Sequence, residues 1–272
     1  MIIDCHTHIS QYGPTEHKTF EQVRDALLES MEANGVDHTI VYPDSESASN
    51  VSNLDTTPPL IDGQPSLSML GTILIPENRP LDQAVLAKLA GLAADGALAG
   101  IKLYPGFEVF YPDDPRCHVI YDLCLTHDLP IIFHSGETMG EAWREAYNHP
   151  DEVAKVARRF PDLRVVIAHF SQPHLDACRQ VILSHENLHA DMSGLAHPEV
   201  VAACGADTIR ATLIAVVEAQ PFKVLFGTDW PMCDVQSHIN LVRSLPVPAR
   251  TQDMILAENA QRVFRLSAKE NA

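Results

Sequence analysis

Short runs of β-branched and other apolar residues recur along this chain, separated by longer stretches whose apolar positions repeat at helical spacing. The runs fall at residues 2–5, 39–42, 69–75, 100–104, 130–134, 164–169, 188–192 and 223–227, and each reads as a strand. Helices are expected at 19–34, 81–95, 118–128, 151–160 and 206–219, with Asn34-Gly35 a clear stop signal for the first. Most strands begin roughly 30–36 residues after the last, the length of one βα unit, while the step from the sixth to the seventh is about 24 and requires a short helix. Residues 44–68, rich in Ser, Asn, Asp, Thr and Pro, read as a long loop after the second strand.

Eight such units without a composition break predict an α/β fold, a closed (β/α)8 barrel forming a single domain over residues 1–272. An open doubly wound sheet is disfavoured because no GxGxxG turn follows any strand. The length of 272 residues is close to the ~250 typical of such barrels.

Charge narrows the partners. The chain has 36 acidic and 19 basic residues, a formal net charge of −17, which repels phosphate backbones and anionic membranes. A small-molecule substrate is expected, with no nucleic acid and no membrane partner; a homo-oligomer is left open. The six cysteines form no CxxC pair and there is no signal-like N-terminus or membrane-length apolar run, so a reducing cytoplasm is the expected location.

Chemistry concentrates at strand ends, where barrel active sites lie. In Ile3-Asp4-Cys5-His6-Thr7-His8, residues i and i+2 of an extended chain share a side, so His6 and His8 can grip one ion. An isolated HxH is more often a surface pair, and the inference here comes from the recurrence of ligand-type residues: His134 closes the fifth strand, His169 the sixth, and Asp229 follows the eighth. Imidazoles with a carboxylate suit Zn²⁺ or Mn²⁺ rather than Ca²⁺ or Mg²⁺. His17, His38, His127, His149, His185 and His189 are assigned ordinary packing and hydrogen-bonding roles, and Glu137 a structural one.

The segments HxH, GIKLYPGF, PDDPR, LPIIFHSG, RFPDLRVVIAHF, HADMSG, LFGTDWP and ILAENAQRVFRL together resemble the amidohydrolase-related branch of the amidohydrolase superfamily over nearly the whole chain. The resemblance implies one divalent metal, zinc before Mn²⁺, held by His6, His8, His134 and Asp229, with His169 placed to polarise substrate or water. It further implies a hydrolase of a small carboxylated or cyclic compound such as a lactone or amide, with non-oxidative decarboxylation of a carboxylic acid as the alternative. Asp229 would serve as general base toward a metal-activated water. A non-catalytic, metal-stabilised binding protein is the reading from another class.

Two departures from the family pattern stand out. His169 is followed by Phe170-Ser171-Gln172-Pro173, where relatives often carry a Gly-containing turn. Lys102, ending the fourth strand, occupies the place where binuclear members carry a bridging carbamylated lysine. It reads as an ammonium that pairs with a substrate carboxylate, with Tyr104 beside it as a substrate hydrogen-bonding group; the carbamate reading would make the centre binuclear. TatD-type nucleases share the opening HxH but expect a carboxylate where Lys102 stands. Substrate specificity is expected in the loops 44–68, 106–117 and 135–149.

Overall fold

Each apolar run becomes one strand of a single parallel sheet, because every connection is long enough to return the chain across the outside of its neighbours. The computed structural model describes residues 1–46, 49–138 and 140–266; residues 47, 48 and 139 of the expected specificity loops and 267–272 of the expected domain lie outside them. The strands are β1 (Ile3–Thr7), β2 (His38–Val41), β3 (Leu67–Thr72), β4 (Gly100–Leu103), β5 (Ile131–Phe133), β6 (Val165–Ile167), β7 (Leu188–Asp191) and β8 (Val224–Leu225). Their spatial order equals their sequence order. Barrel closure between β8 and β1 is made by Cys5 N–H to Phe226 O (2.9 Å), Asp229 N–H to His6 O (2.8 Å) and His8 N–H to Trp230 O (2.8 Å).

Two apolar layers hold the barrel. Ile3, Cys5, Ile40, Tyr42, Leu70, Ile132, Val166, Ala168 and Leu225 form an interior cluster, joined by Ala257, Ala260, Val263 and Phe264 of the C-terminal helical segment. A larger cluster packs the other strand faces against the surrounding helices. The first of these, Phe20–Asn34, opens with a Thr19–Gln22 capping box and stops at Gly35 in the left-handed conformation, as its sequence requires. No single helix among the described residues is long and apolar enough to cross a membrane.

The structure corrects several expectations. The segment expected as a loop at 44–68 contains a five-residue helix, Thr57–Ile61, and β3 starts at Leu67 rather than at residue 69. The eighth strand pairs over two residues instead of five, because the Phe226 amide turns to the Ile255 carbonyl (3.0 Å) of the C-terminal segment. The expected strand 164–169 ends at Ile167, and His169, Phe170 and Ser171 follow with φ of 58°, 48° and 52°. Three consecutive non-glycine residues in the left-handed region cost on the order of 1–3 kcal/mol each, so neighbouring contacts must impose them. His169 N–H is held by Asp191 Oδ1 (3.0 Å), Ser171 Oγ by Ser135 Oγ (2.7 Å), and the Ser171 carbonyl by His174 N–H (2.7 Å).

A bulge in β1 sets the aim of the N-terminal histidines. Asp4 pairs with Thr39 and Thr7 with Val41, so three steps along β1 match two along β2. The extra residue breaks the alternation: Cys5 belongs to the interior cluster, and the next ring, His6, stacks on interior Tyr42 at 4.0 Å. Opposite, Gly227 leaves room for this turn, since a β-carbon there would stand 3.0 Å from His6 Cβ and 3.4 Å from Ser193 Cβ and would press on both.

Asp4 fastens the closing edge, accepting from Thr228 N–H (3.0 Å) and Thr228 Oγ–H (2.6 Å). Burial raises its carboxyl to about 7, against the lowering effect of the Thr228 and His6 hydrogen bonds. A folded pKa above the unfolded value makes its stabilising contribution full below the unfolded value and lost as pH rises through about 7. Relative to Asp4→Asn, the wild type should therefore lose stability between about pH 4 and about pH 7 in urea unfolding. A stability gap independent of pH would contradict this placement of Asp4.

Candidate active site

The C-terminal ends of β1, β4, β5, β6, β7 and β8 bring His6, His8, Lys102, His134, His169, Asp191, Ser193 and Asp229 to one end of the barrel. Their protonation follows from what each ring nitrogen touches. Asp191 is fully buried and can only accept, so His6 Nδ1 (3.0 Å from Asp191 Oδ2) carries the proton and its Nε2 the lone pair. Ser193 Oγ–H donates to Asp191 Oδ1 (2.5 Å) and therefore accepts from His169 Nδ1 (2.8 Å), which leaves the His169 lone pair at Nε2 as well. His8 Nδ1 donates to the Tyr42 carbonyl (2.9 Å), with the same consequence.

Three acceptors then face one another with no proton between them. His8 Nε2 lies 3.3 Å and His6 Nε2 3.7 Å from Asp229 Oδ1, and His6 Nε2 is a buried atom without a hydrogen-bond partner. Convergent lone pairs on imidazole and carboxylate are repulsive unless a cation sits among them, and this donor set is that of a divalent transition metal. Ligand atoms of His6, His169 and Asp229 lie within 4.8 Å of one another, close enough to share one ion. The residues fit such an ion, and Asp191 behind His6 and Ser193 behind His169 orient the rings as carboxylates and hydroxyls do around metal sites.

Electrostatics agree with neutral imidazoles. Burial lowers His6 to about 3, with the neighbouring Asp191 opposing, and burial also lowers His134 and His169. Burial raises the Asp191 carboxyl, but His6 beside it, with the Ser193 hydroxyl, outweighs that and holds it well below the usual carboxylate range.

The expected residues divide into three groups. His6, His8, His169 and Asp229 meet directly. His134 stands beside His169 (ring centroids 5.1 Å apart), but its Nε2 donates to the Glu137 carbonyl (2.9 Å), leaving Nδ1 as its lone pair; the tightest group of donors therefore contains His169 and not His134. Glu137 contributes this carbonyl rather than its carboxylate. Tyr104 differs from expectation, because its hydroxyl donates to the Pro43 carbonyl (2.7 Å) and only its ring face is turned to Lys102, 5.2 Å from Nζ. Lys102 is 1% exposed, and burial lowers its ammonium to about 8.

Asp191 and Ser193 were not singled out by sequence reasoning, although both lie in His189-Ala190-Asp191-Met192-Ser193-Gly194 at the end of β7. The available signal was a carboxylate closing β7, one of three strands to which no chemistry had been assigned. The wall beside His134 depends on Gly136, whose φ is +95° and where a β-carbon would fall 2.0 Å from the Gln172 carbonyl oxygen.

The amidohydrolase family profile matches residues 3–266, and the chain belongs to that family. An L-fucono-1,5-lactonase from Burkholderia ambifaria is 27% identical over 168 residues, 56% of this chain and 52% of the lactonase, so the match spans about half the length of that curated relative. A zinc-bound amidohydrolase from Burkholderia multivorans superposes with a TM-score of 0.70 at 17% identity, covering 98% of this chain and 100% of that one. The 5-carboxyvanillate decarboxylase LigW from Sphingomonas paucimobilis superposes with a TM-score of 0.64 at 17% identity, covering 98% and 99% of the two chains. These two likenesses establish the (β/α)8 fold.

Asp191→Asn should weaken zinc binding by ~10–100-fold, the usual cost of losing a group that orients a ligand histidine. Competition with a chromogenic chelator measures it, and unchanged zinc affinity would show that Asp191 does not set the His6 tautomer.

Proposed function

We propose that this amidohydrolase-family chain is a metal-dependent hydrolase of a small organic molecule, a cyclic ester or amide, using one divalent cation that is zinc in preference to Mn²⁺. The observation that carries the reading is the convergence of His6 Nε2 and His8 Nε2 on Asp229 Oδ1, at 3.7 and 3.3 Å, with the buried His6 Nε2 lacking any hydrogen-bond partner. His6, His8 and Asp229 would hold the ion, with His134 the fourth ligand that the family resemblance implies. When bound there, such an ion supplies Lewis acidity, polarising a carbonyl and lowering the pKa of adjacent water.

The chain's own groups do the rest. Asp229 turns Oδ1 toward the two histidine nitrogens and keeps Oδ2 for the proton of the attacking water. His169, fixed by Ser193 and by its left-handed backbone, presents the Nε2 lone pair toward the same space, where it orients the attacking water by accepting a hydrogen bond. Lys102, over the ring of Tyr42 on which His6 also stacks, holds the substrate. Asp229 and His8, at 24% and 18% side-chain exposure, mark the side from which substrate enters.

Decarboxylation is the second reading, supported by the likeness to the 5-carboxyvanillate decarboxylase. Hydrolysis is preferred because the relative with the greater sequence identity is a lactonase and because Asp229 is disposed to take a proton from water. Product analysis separates them: hydrolysis yields a hydroxy acid or amine plus acid, decarboxylation yields CO₂.

Asp229→Asn should lower kcat by ~10²–10⁴-fold, the range of a general base. Elemental analysis alongside the kinetics should find one metal per wild-type chain. Activity within about tenfold of wild type would move the base elsewhere, given that range. A metal-replete chain inert toward lactone, ester, amide and carboxylate panels would favour a binding protein.

A further inference from the structure

Two buried lysines in this chain are treated in opposite ways. Lys223 Nζ is satisfied by the carbonyl oxygens of His185 (2.6 Å), Glu186 (2.8 Å) and Leu188 (2.9 Å). Lys102 Nζ makes no hydrogen bond among the described residues and lies over the faces of Tyr42 (5.1 Å) and Tyr104 (5.2 Å).

Beside Lys102 are two hydroxyls in the same condition. Tyr42 is 0% and Thr72 1% exposed, and neither Oη nor Oγ1 has a partner. Among the described residues six buried side-chain atoms lack hydrogen bonds, and three of them, His6 Nε2, Tyr42 Oη and Thr72 Oγ1, belong to the end of the barrel that carries the histidines. A fold that pairs nearly all its buried polar atoms leaves such a cluster orphaned where a ligand is to complete it.

Their positions in the barrel are consecutive. Tyr42 follows β2 directly, Thr72 ends β3, and Thr72 is the register partner of Lys102 on β4, which in turn pairs with Ile132 on β5. Tyr42, Leu70 and Ile132 lie in the interior cluster, and Thr72, two residues past Leu70, shares its face. Tyr42 also stacks on His6, so this wall adjoins the metal-capable group without overlapping it.

We propose that Lys102, Tyr42 and Thr72 form a carboxylate-binding subsite, which makes the substrate a carboxylated one with its anionic end against β2–β4. An ammonium and two hydroxyls offer at least four donor protons from one side, matching the two oxygens and several lone pairs of a carboxylate. A neutral carbonyl or hydroxyl would leave the buried ammonium without a contacting counter-charge, since Asp191 and Asp229 act on it through space and not by a hydrogen bond. Tyr104 supplies only its ring face to the ammonium, its hydroxyl being spent on Pro43. The subsite stands on this geometry; placing the scissile group beside it depends on the hydrolytic reading above.

Calorimetry on the protein as purified, with cyclohexanecarboxylate and the isosteric cyclohexanecarboxamide, tests the subsite without requiring turnover. The carboxylate should bind at least ~10-fold more tightly than the amide, and Lys102→Met should abolish the difference with metal content unchanged. Tyr42→Phe and Thr72→Val should each weaken carboxylate binding by about 3–10-fold, while melting without ligand at the same or a higher temperature, since each removes an unpaired buried hydroxyl. Equal binding of the two probes, or binding of neither, would overturn the proposal. So would unchanged carboxylate affinity in Lys102→Met, which would put the anion on the metal, or loss of metal in that variant, which would identify a bridging carbamate. Absence of turnover on carboxylated lactones, with the binding results intact, would count against hydrolysis and leave the subsite standing.

Discussion

Asp191 is the constraint on which the rest of this site depends. It is a fully buried carboxylate that accepts from His6 Nδ1, Ser193 Oγ, Ser193 N–H and His169 N–H. An ionised group in that position is tolerated only because every contact is a donor. In return it fixes the tautomer of His6 directly and that of His169 through Ser193, and it clamps the left-handed turn that carries His169. Lone pairs at Nε2 on both rings follow from this one side chain.

Much of the barrel was legible in the sequence because eight apolar runs at βα spacing have few other ways to bury themselves. Helix boundaries held wherever a local signal existed, as at Thr19 and Gly35, and the helix Ala206–Ala219 matches its expected range. Boundaries failed where tertiary contacts decided them. The eighth strand is shortened by a carbonyl of the C-terminal segment, and the turn at 57–61 is helical within a stretch whose composition reads as loop.

The site was legible as a set of residue types at strand ends but not as a geometry. Residue parity makes His6 and His8 neighbours, yet only the bulge between Asp4 and Thr7 turns His6 onto Tyr42 behind an inward Cys5. Nothing in Ala168-His169-Phe170-Ser171 announces three positive φ angles, since the cause lies in Asp191 and Ser135, distant in sequence. Tyr104 and Tyr42 show the same limit in reverse: the residue beside Lys102 in sequence has its hydroxyl occupied, and the one two strands away is unpaired. The resulting site has two halves, a histidine and aspartate half built on β1 and β5–β8, and a donor wall built on β2–β4.

X-ray absorption at the edge of the bound metal tests the central claim most directly, because it reads the ligand atoms rather than their consequences. The account predicts one metal per chain surrounded by imidazole nitrogen and carboxylate oxygen at about 2.0–2.2 Å. Sulfur scattering at about 2.3 Å, implicating Cys5 or Cys233 in place of the histidines, would contradict it. So would a second metal at about 3.5–4 Å from the first.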